Sequence, residues 1–132
     1  MKKTNNKGFS LIELIIVIAI MAILVAIIAP NLTKYLGKSK KNTDVKNLDE
    51  IESTLKTCIT DYEMDNGTLG NVTVTWSASG AISNPVNTTF DAIVNEAIDA
   101  KKTTSKENSS KYAKAVITAG TSGGYTITMS WN

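Results

Sequence analysis

The residues able to do chemistry gather near the start of the chain, in Lys7-Gly8-Phe9-Ser10-Leu11-Ile12-Glu13. Glu13 is the one carboxylate there, and the residues after it, Leu14 to Ala29, carry no charge and no polar side chain. A carboxylate in lipid costs about 2.5–3.5 kcal/mol at a helix centre on insertion scales. The charge therefore asks for a compensating partner. Elsewhere the inventory for catalysis is thin. The chain has no histidine, no Gly-rich phosphate loop, no metal-ligand cluster, and no base set beside Cys58 or any serine. Asp61, Glu63, Asp65, Asn66 and Gly67 look like a calcium loop at first. The glycine falls one position late, and the twelfth position is Val72 instead of a glutamate. Such residues more commonly end a helix. The sequence points away from an enzyme and implies neither a cofactor nor a metal.

The element that carries Glu13 is the apolar run itself. Phe9 to Ala29 spans 21 residues, and a helix of that length covers roughly 30 Å, one bilayer core. A buried core helix is the alternative, but the rest of a 132-residue chain is too small to surround one. A secretory signal has a shorter apolar region followed by an A-x-A-like site, a spacing these alanines never take. Lys2, Lys3 and Lys7 favour a cytoplasmic N-terminus, while Lys34, Lys38, Lys40 and Lys41 follow the run, so charge alone leaves the orientation open. Ala19, Ala22, Ala26 and Ala29 recur at spacings of 3, 4 and 3, along one helix face. Such a stripe either lets two helices approach closely in lipid or is plain apolar filler.

The N-terminal stretch, K-G-F-S-L-I-E followed by an unbroken apolar run and then Pro30, resembles that of type IV pilins and pseudopilins. The resemblance covers about 22 residues and rests on leader, glycine, glutamate and span length coinciding. It implies a prepilin peptidase that cuts between Gly8 and Phe9 and methylates the new amine of Phe9. Gly8, lacking a side chain, suits a narrow site that takes the bond in extended form. Losing the three leader lysines turns the formal charge from +2 to −1. The resemblance further implies that Glu13 of one subunit pairs with the Phe9 amine of a neighbour. A pairing within one chain is the alternative, since i and i+4 share a helix face. A pair between chains acts more as a register device than as a source of net stability. Phe9, Glu13, Ala19, Ala22, Ala26 and Pro30 are the assembly residues on this reading.

What the resemblance implies for the whole chain is a structural subunit of a type IV pilus. Such a subunit is a single-pass membrane precursor with a cytoplasmic N-terminus, later a homopolymer in an extracellular filament serving adhesion or twitching motility. Its partners would be prepilin peptidase, a membrane platform and an assembly ATPase. A pseudopilin of a type II secretion or DNA-uptake machine is the alternative. The single cysteine, Cys58, excludes an intramolecular disulfide and departs from pilins whose C-terminal loop is closed by one, which favours a Gram-positive source. Cys58 reads as a small buried apolar residue. A net charge of +2 is too balanced to suggest nucleic acid.

The remaining sequence divides into 1–8 as leader, 9–30 as membrane and assembly helix, 31–64 as its amphipathic continuation, and 65–132 as a head. Pro30 predicts a kink or local unwinding, and Gly37 a second soft point. Val45, Leu48, Ile51, Leu55, Cys58 or Ile59, and Tyr62 recur every three or four residues and form the inward face. Asp65-Asn66-Gly67 is the stop signal. Val72, Val74 and Trp76 alternate with threonines as a half-buried strand. Thr88 or Thr89 caps a helix over Phe90 to Ala100, with Phe90, Ile93, Val94, Ala97 and Ile98 inward. Lys101 to Ser110 is a polar loop. Lys111 to Thr118 and Tyr125 to Trp131 form a hairpin. The fold class is α+β: a long N-terminal helix packed by its C-terminal half on an antiparallel sheet of three or four strands.

Overall fold

A computed structural model describes residues 8–132. The leader lysines Lys2, Lys3 and Lys7 lie outside the described residues. Two units make up the chain, one ending at Lys38 and one running Ser39–Asn132. Helix α1 covers Leu11–Asn66. Strand β1, Val72–Thr75, follows, then helix α2, Thr88–Ala97. A 3-10 turn at Ala100–Lys102 precedes strands β2, Ala113–Ala119, and β3, Tyr125–Trp131. The chain is α+β, as its periodicities predict.

In the first unit α1 stays helical through Pro30 and Gly37, so the predicted local unwinding is not found. Proline fixes φ near the helical value, and its loss is one ladder hydrogen bond, the one to the carbonyl of Ala26. Intact turns on both sides hold the helix across that gap.

In the second unit α1 buries Asp44, Asn47, Ile51, Leu55, Cys58, Ile59 and Tyr62. The predicted inward face is thus corrected at its start: Val45 is 55% exposed, and the polar Asp44 and Asn47 turn inward instead. The helix stops where the sequence places it. Gly67 takes a φ of +79°, and its N–H donates to the carbonyl of Glu63 at 3.3 Å. This is the left-handed C-terminal stop that glycine adopts without steric penalty.

The sheet has three antiparallel strands in the order β1-β2-β3. Val74 pairs with Ala115, and Ala115 with Met129. The small Ala113 and Ala115 of the central strand are fully buried, as are Val74 and Trp76 on the β1 side. In β3, Tyr125, Ile127, Met129 and Trp131 face the core side while Thr126, Thr128 and Ser130 are exposed, as the period-2 pattern predicts. Trp76 lies one residue past β1 and bridges to Ile82. The outer edge of β1 is closed by a side chain: Asn84 accepts from the Thr75 N–H and donates to the Thr73 carbonyl, both at 2.8 Å. The amide of Asn84 there imitates a neighbouring strand and blunts the edge.

Helix α2 differs from prediction at both ends. Its cap is Asn87, whose Oδ1 accepts from the N–H groups of Thr89 and Phe90, while the Asn87 amide donates to the Tyr62 hydroxyl at 3.0 Å. Asparagine outranks threonine as a cap, and here it also reaches α1. The helix ends at Ala97, which is exposed; Phe90, Val94 and Ile98 are buried, and Ile93 is half-buried. Phe90 and Tyr62 meet edge to face with centroids 5.7 Å apart. At the end of α1, Tyr125 donates its hydroxyl proton to Glu63 and accepts from the Leu69 N–H, tying the helix to β3.

Asp44 explains why a carboxylate sits on the inward face. Its Oδ2 accepts from the Ser105 hydroxyl at 2.5 Å and the Glu107 N–H at 3.1 Å, and its Oδ1 accepts from the Lys106 N–H at 2.5 Å. The polar loop is therefore pinned to α1 by one side chain. Burial opposes ionisation of Asp44, but the bonds from Ser105, Lys106 and Glu107, with the Lys106 charge, outweigh it and hold the carboxyl below its ordinary value of 3.8. A depressed carboxyl stabilises the fold above that value and loses the contribution as pH falls through its folded value. Asp44→Ala is expected to lower unfolding stability by about 2 kcal/mol, the scale of hydrogen bonds to a charged group. Urea unfolding of the full chain in detergent micelles, followed by tryptophan fluorescence, checks this. The variant should also lose less stability than wild type as pH drops below 3.8.

Candidate assembly site at the helix start

Gly8, Phe9 and Ser10 are non-helical and exposed, and α1 begins at Leu11. What stops the helix there is a reciprocal pair of hydrogen bonds. The Ser10 N–H donates to Oε2 of Glu13 at 3.2 Å, and the Glu13 N–H donates to the Ser10 hydroxyl at 3.3 Å. This is a capping box: Ser at the cap, Glu three residues on, each satisfying a backbone donor that the first turn leaves orphaned. The carboxylate also lies at the positive end of the helix dipole. Sequence reasoning assigned Glu13 a partner elsewhere and passed over Ser10. The signal was present as S-x-x-E immediately before an apolar run.

Behind the box, from Leu14 to Ala29, the helix offers only apolar side chains. Phe9 is 92% exposed, and every residue from Phe9 to Thr43 is exposed. The stretch is long and apolar enough to cross a membrane, and none of it is buried. Phe9, Glu13, Leu14, Ile16 and Val17 line one open groove along the first turns. Ala19, Ala22 and Ala26 are exposed along α1, and Pro30 sits within it. Glu13, Phe9 and Gly8 are thus brought to one end of one element. The alanines and Pro30 lie further along it.

A family model described as the prokaryotic N-terminal methylation motif matches residues 3–29. The type IV major fimbrial protein FimA of Dichelobacter nodosus is 31% identical over 80 residues, 61% of this chain and 49% of that protein. The type IV wide pilus major component PilA4 of Thermus thermophilus is 37% identical over 89 residues, 67% of this chain and 65% of that protein. The chain is thus similar to these type IV pilus proteins over part of its length. The competence protein ComGC of Bacillus subtilis is also similar, 36% identical over 62 residues, 47% of this chain and 59% of that protein. The chain spans about half to two thirds of the length of these proteins. No solved structure shows a significant match.

Among the described residues no group of three or more His, Cys, Asp or Glu is placed to hold a metal. Asp61, Glu63 and Asp65 lie within α1, not in a loop. Cys58 is 2% exposed, in the core with Leu55 and Ile59 of the same helix. Burial, with the Asp61 charge second, pushes its thiol up. A raised thiol carries less reactive thiolate at any given pH. The native chain should therefore resist iodoacetamide at mildly alkaline pH and label fully in urea; rapid labelling of the folded chain would contradict the core placement.

Proposed function

We propose that this chain is the structural subunit of a type IV pilus, made as a membrane-inserted precursor. A prepilin peptidase cuts between Gly8 and Phe9 and methylates the Phe9 amine. The processed subunit leaves the membrane and polymerises through its apolar helix into a surface filament, driven by an assembly ATPase on a membrane platform. The observation that carries this reading is the uncovered apolar helix with one carboxylate at its start. Lipid can cover such a surface before assembly, and other copies can cover it afterwards. Removing the leader lysines takes away the cations that hold the helix at the cytoplasmic face.

On this reading Glu13 meets the Phe9 amine of an adjacent subunit. In a low dielectric the pair attracts far more strongly than in water, and a one-turn slip leaves both charges unpaired. Ala19, Ala22 and Ala26 allow neighbouring helices to approach, and Pro30, lacking an N–H, is where the helix opens most readily if the filament demands it. The likeness to ComGC, named a competence protein, supports a second reading as a pseudopilin of a DNA-uptake machine. Purified surface filaments composed mainly of this chain select the pilus, and short structures confined to the envelope select the rival.

N-terminal sequencing and intact mass of the mature chain should give methylated Phe9 as the first residue. Glu13→Val should insert and be cleaved, yet yield at least about tenfold fewer filaments, since breaking a buried pair costs about 3–5 kcal/mol. An uncut N-terminus, or a normal filament yield from Glu13→Val alone, would remove the proposal.

A further inference from the structure

We infer that Ser10 is a positioning residue for subunit docking: through the capping box it holds the Glu13 carboxylate at the helix start with one oxygen engaged and the other free for an incoming amine. The inference rests on the filament reading above and adds to it a residue and a geometry. Three observations carry it. First, the two bonds are reciprocal, 3.2 Å and 3.3 Å, so hydroxyl and carboxylate fix each other. Second, only Oε2 of Glu13 is engaged, and Oε1 takes no hydrogen bond among the described residues. A carboxylate has acceptor sites on both oxygens, so the box and a cation are satisfied together. Third, the box lies wholly beyond the Gly8–Phe9 bond. Ser10's N–H belongs to the Phe9–Ser10 peptide, which that cut leaves intact.

Without the box, a glutamate side chain at the first turn of an exposed helix samples several rotamers. Docking would then have to order it, at the entropy cost that accompanies fixing a long flexible side chain. With the box, that ordering is done before a neighbour arrives. The box also lowers the penalty of carrying the carboxylate in lipid, because the charge accepts a backbone proton that would otherwise be unpaired there. Threonine fits the same role through its hydroxyl, whereas alanine removes it.

The test is incorporation of tagged full-length variants into filaments in cells that also make the wild-type chain. Ser10→Ala should be cleaved normally and incorporate about fivefold less, the population effect of a lost cap; Ser10→Thr should restore incorporation. In a Glu13→Gln background, Ser10→Ala should add nothing, because Ser10 acts through that carboxylate. Amide hydrogen exchange on the purified full chain in micelles reads the box directly. Ser10→Ala should free the Glu13 amide, and Glu13→Ala should free the Ser10 amide. Wild-type incorporation of Ser10→Ala, an equal loss in the Glu13→Gln background, or free exchange of both amides in wild type overturns the inference. If Glu13→Gln itself incorporates like wild type, the docking pair fails and the role of Ser10 falls with it.

Discussion

An apolar helical surface that its own chain does not cover is the constraint behind the rest of this molecule. From Phe9 to Leu36 every large hydrophobic residue is about half exposed or more. Each such side chain is worth about 1.5–3 kcal/mol when taken fully out of water. A surface of that length cannot stand in solution as a monomer, and it is far larger than the isolated apolar patches soluble proteins tolerate. Lipid or other copies must cover it. The one charge between Phe9 and Ala29 sits at the edge of this surface, at Glu13, where the helix start supplies a backbone donor.

Much of the fold was legible because it follows from period. The apolar run, the three-four spacing from Ile51 to Tyr62, and the alternation of Tyr125, Ile127, Met129 and Trp131 each map onto an observed face. The helix end at Asn66 followed from Asp65-Asn66-Gly67, and the hairpin from the two runs, Lys111 to Thr118 and Tyr125 to Trp131. Placements that depend on distant partners were not legible. Val45 is more apolar than Asp44, and hydropathy alone turns it inward. What reverses the choice is a loop some sixty residues later whose N–H groups need an acceptor, and no local pattern announces it. Asn87 shows the same limit: as a cap it is readable, but its bond to Tyr62 is a tertiary fact. Ser10 is different in kind. Its capping box is entirely local and was present in the sequence.

Asp44 and Glu13 show one physical device used at two scales. Each is a carboxylate on α1 that accepts backbone N–H groups. At Asp44 the donors come from a remote loop, and the bonds fix tertiary structure within the second unit. At Glu13 the donor is three residues away, and the bond fixes only the local turn. The difference matters for what is left over. Asp44 engages both of its oxygens and is spent on folding. Among the described residues Glu13 engages one, and its other oxygen takes no hydrogen bond. A chain whose single cysteine cannot form an internal disulfide also needs such ties. Asp44 to the loop, Tyr125 to Glu63 and Asn87 to Tyr62 are side-chain tethers between α1 and the rest of the second unit.

The same box also sets where the helix cannot go. A regular helix hides the bonds of its first turns in its own ladder, and a peptidase needs backbone it can hold in extended form. Apolar side chains on both sides of Ser10 would let a helix in lipid run on toward the leader, since lipid penalises every unsatisfied N–H. Ser10 and Glu13 remove that incentive by satisfying two of those donors with side chains. The helix then halts at Leu11, and Gly8-Phe9 stays outside it. Under the proposed function, one pair of residues leaves the scissile bond open before the cut and holds the carboxylate in place after it. On that reading a serine between Phe9 and the run has two uses, which another apolar residue there could not supply.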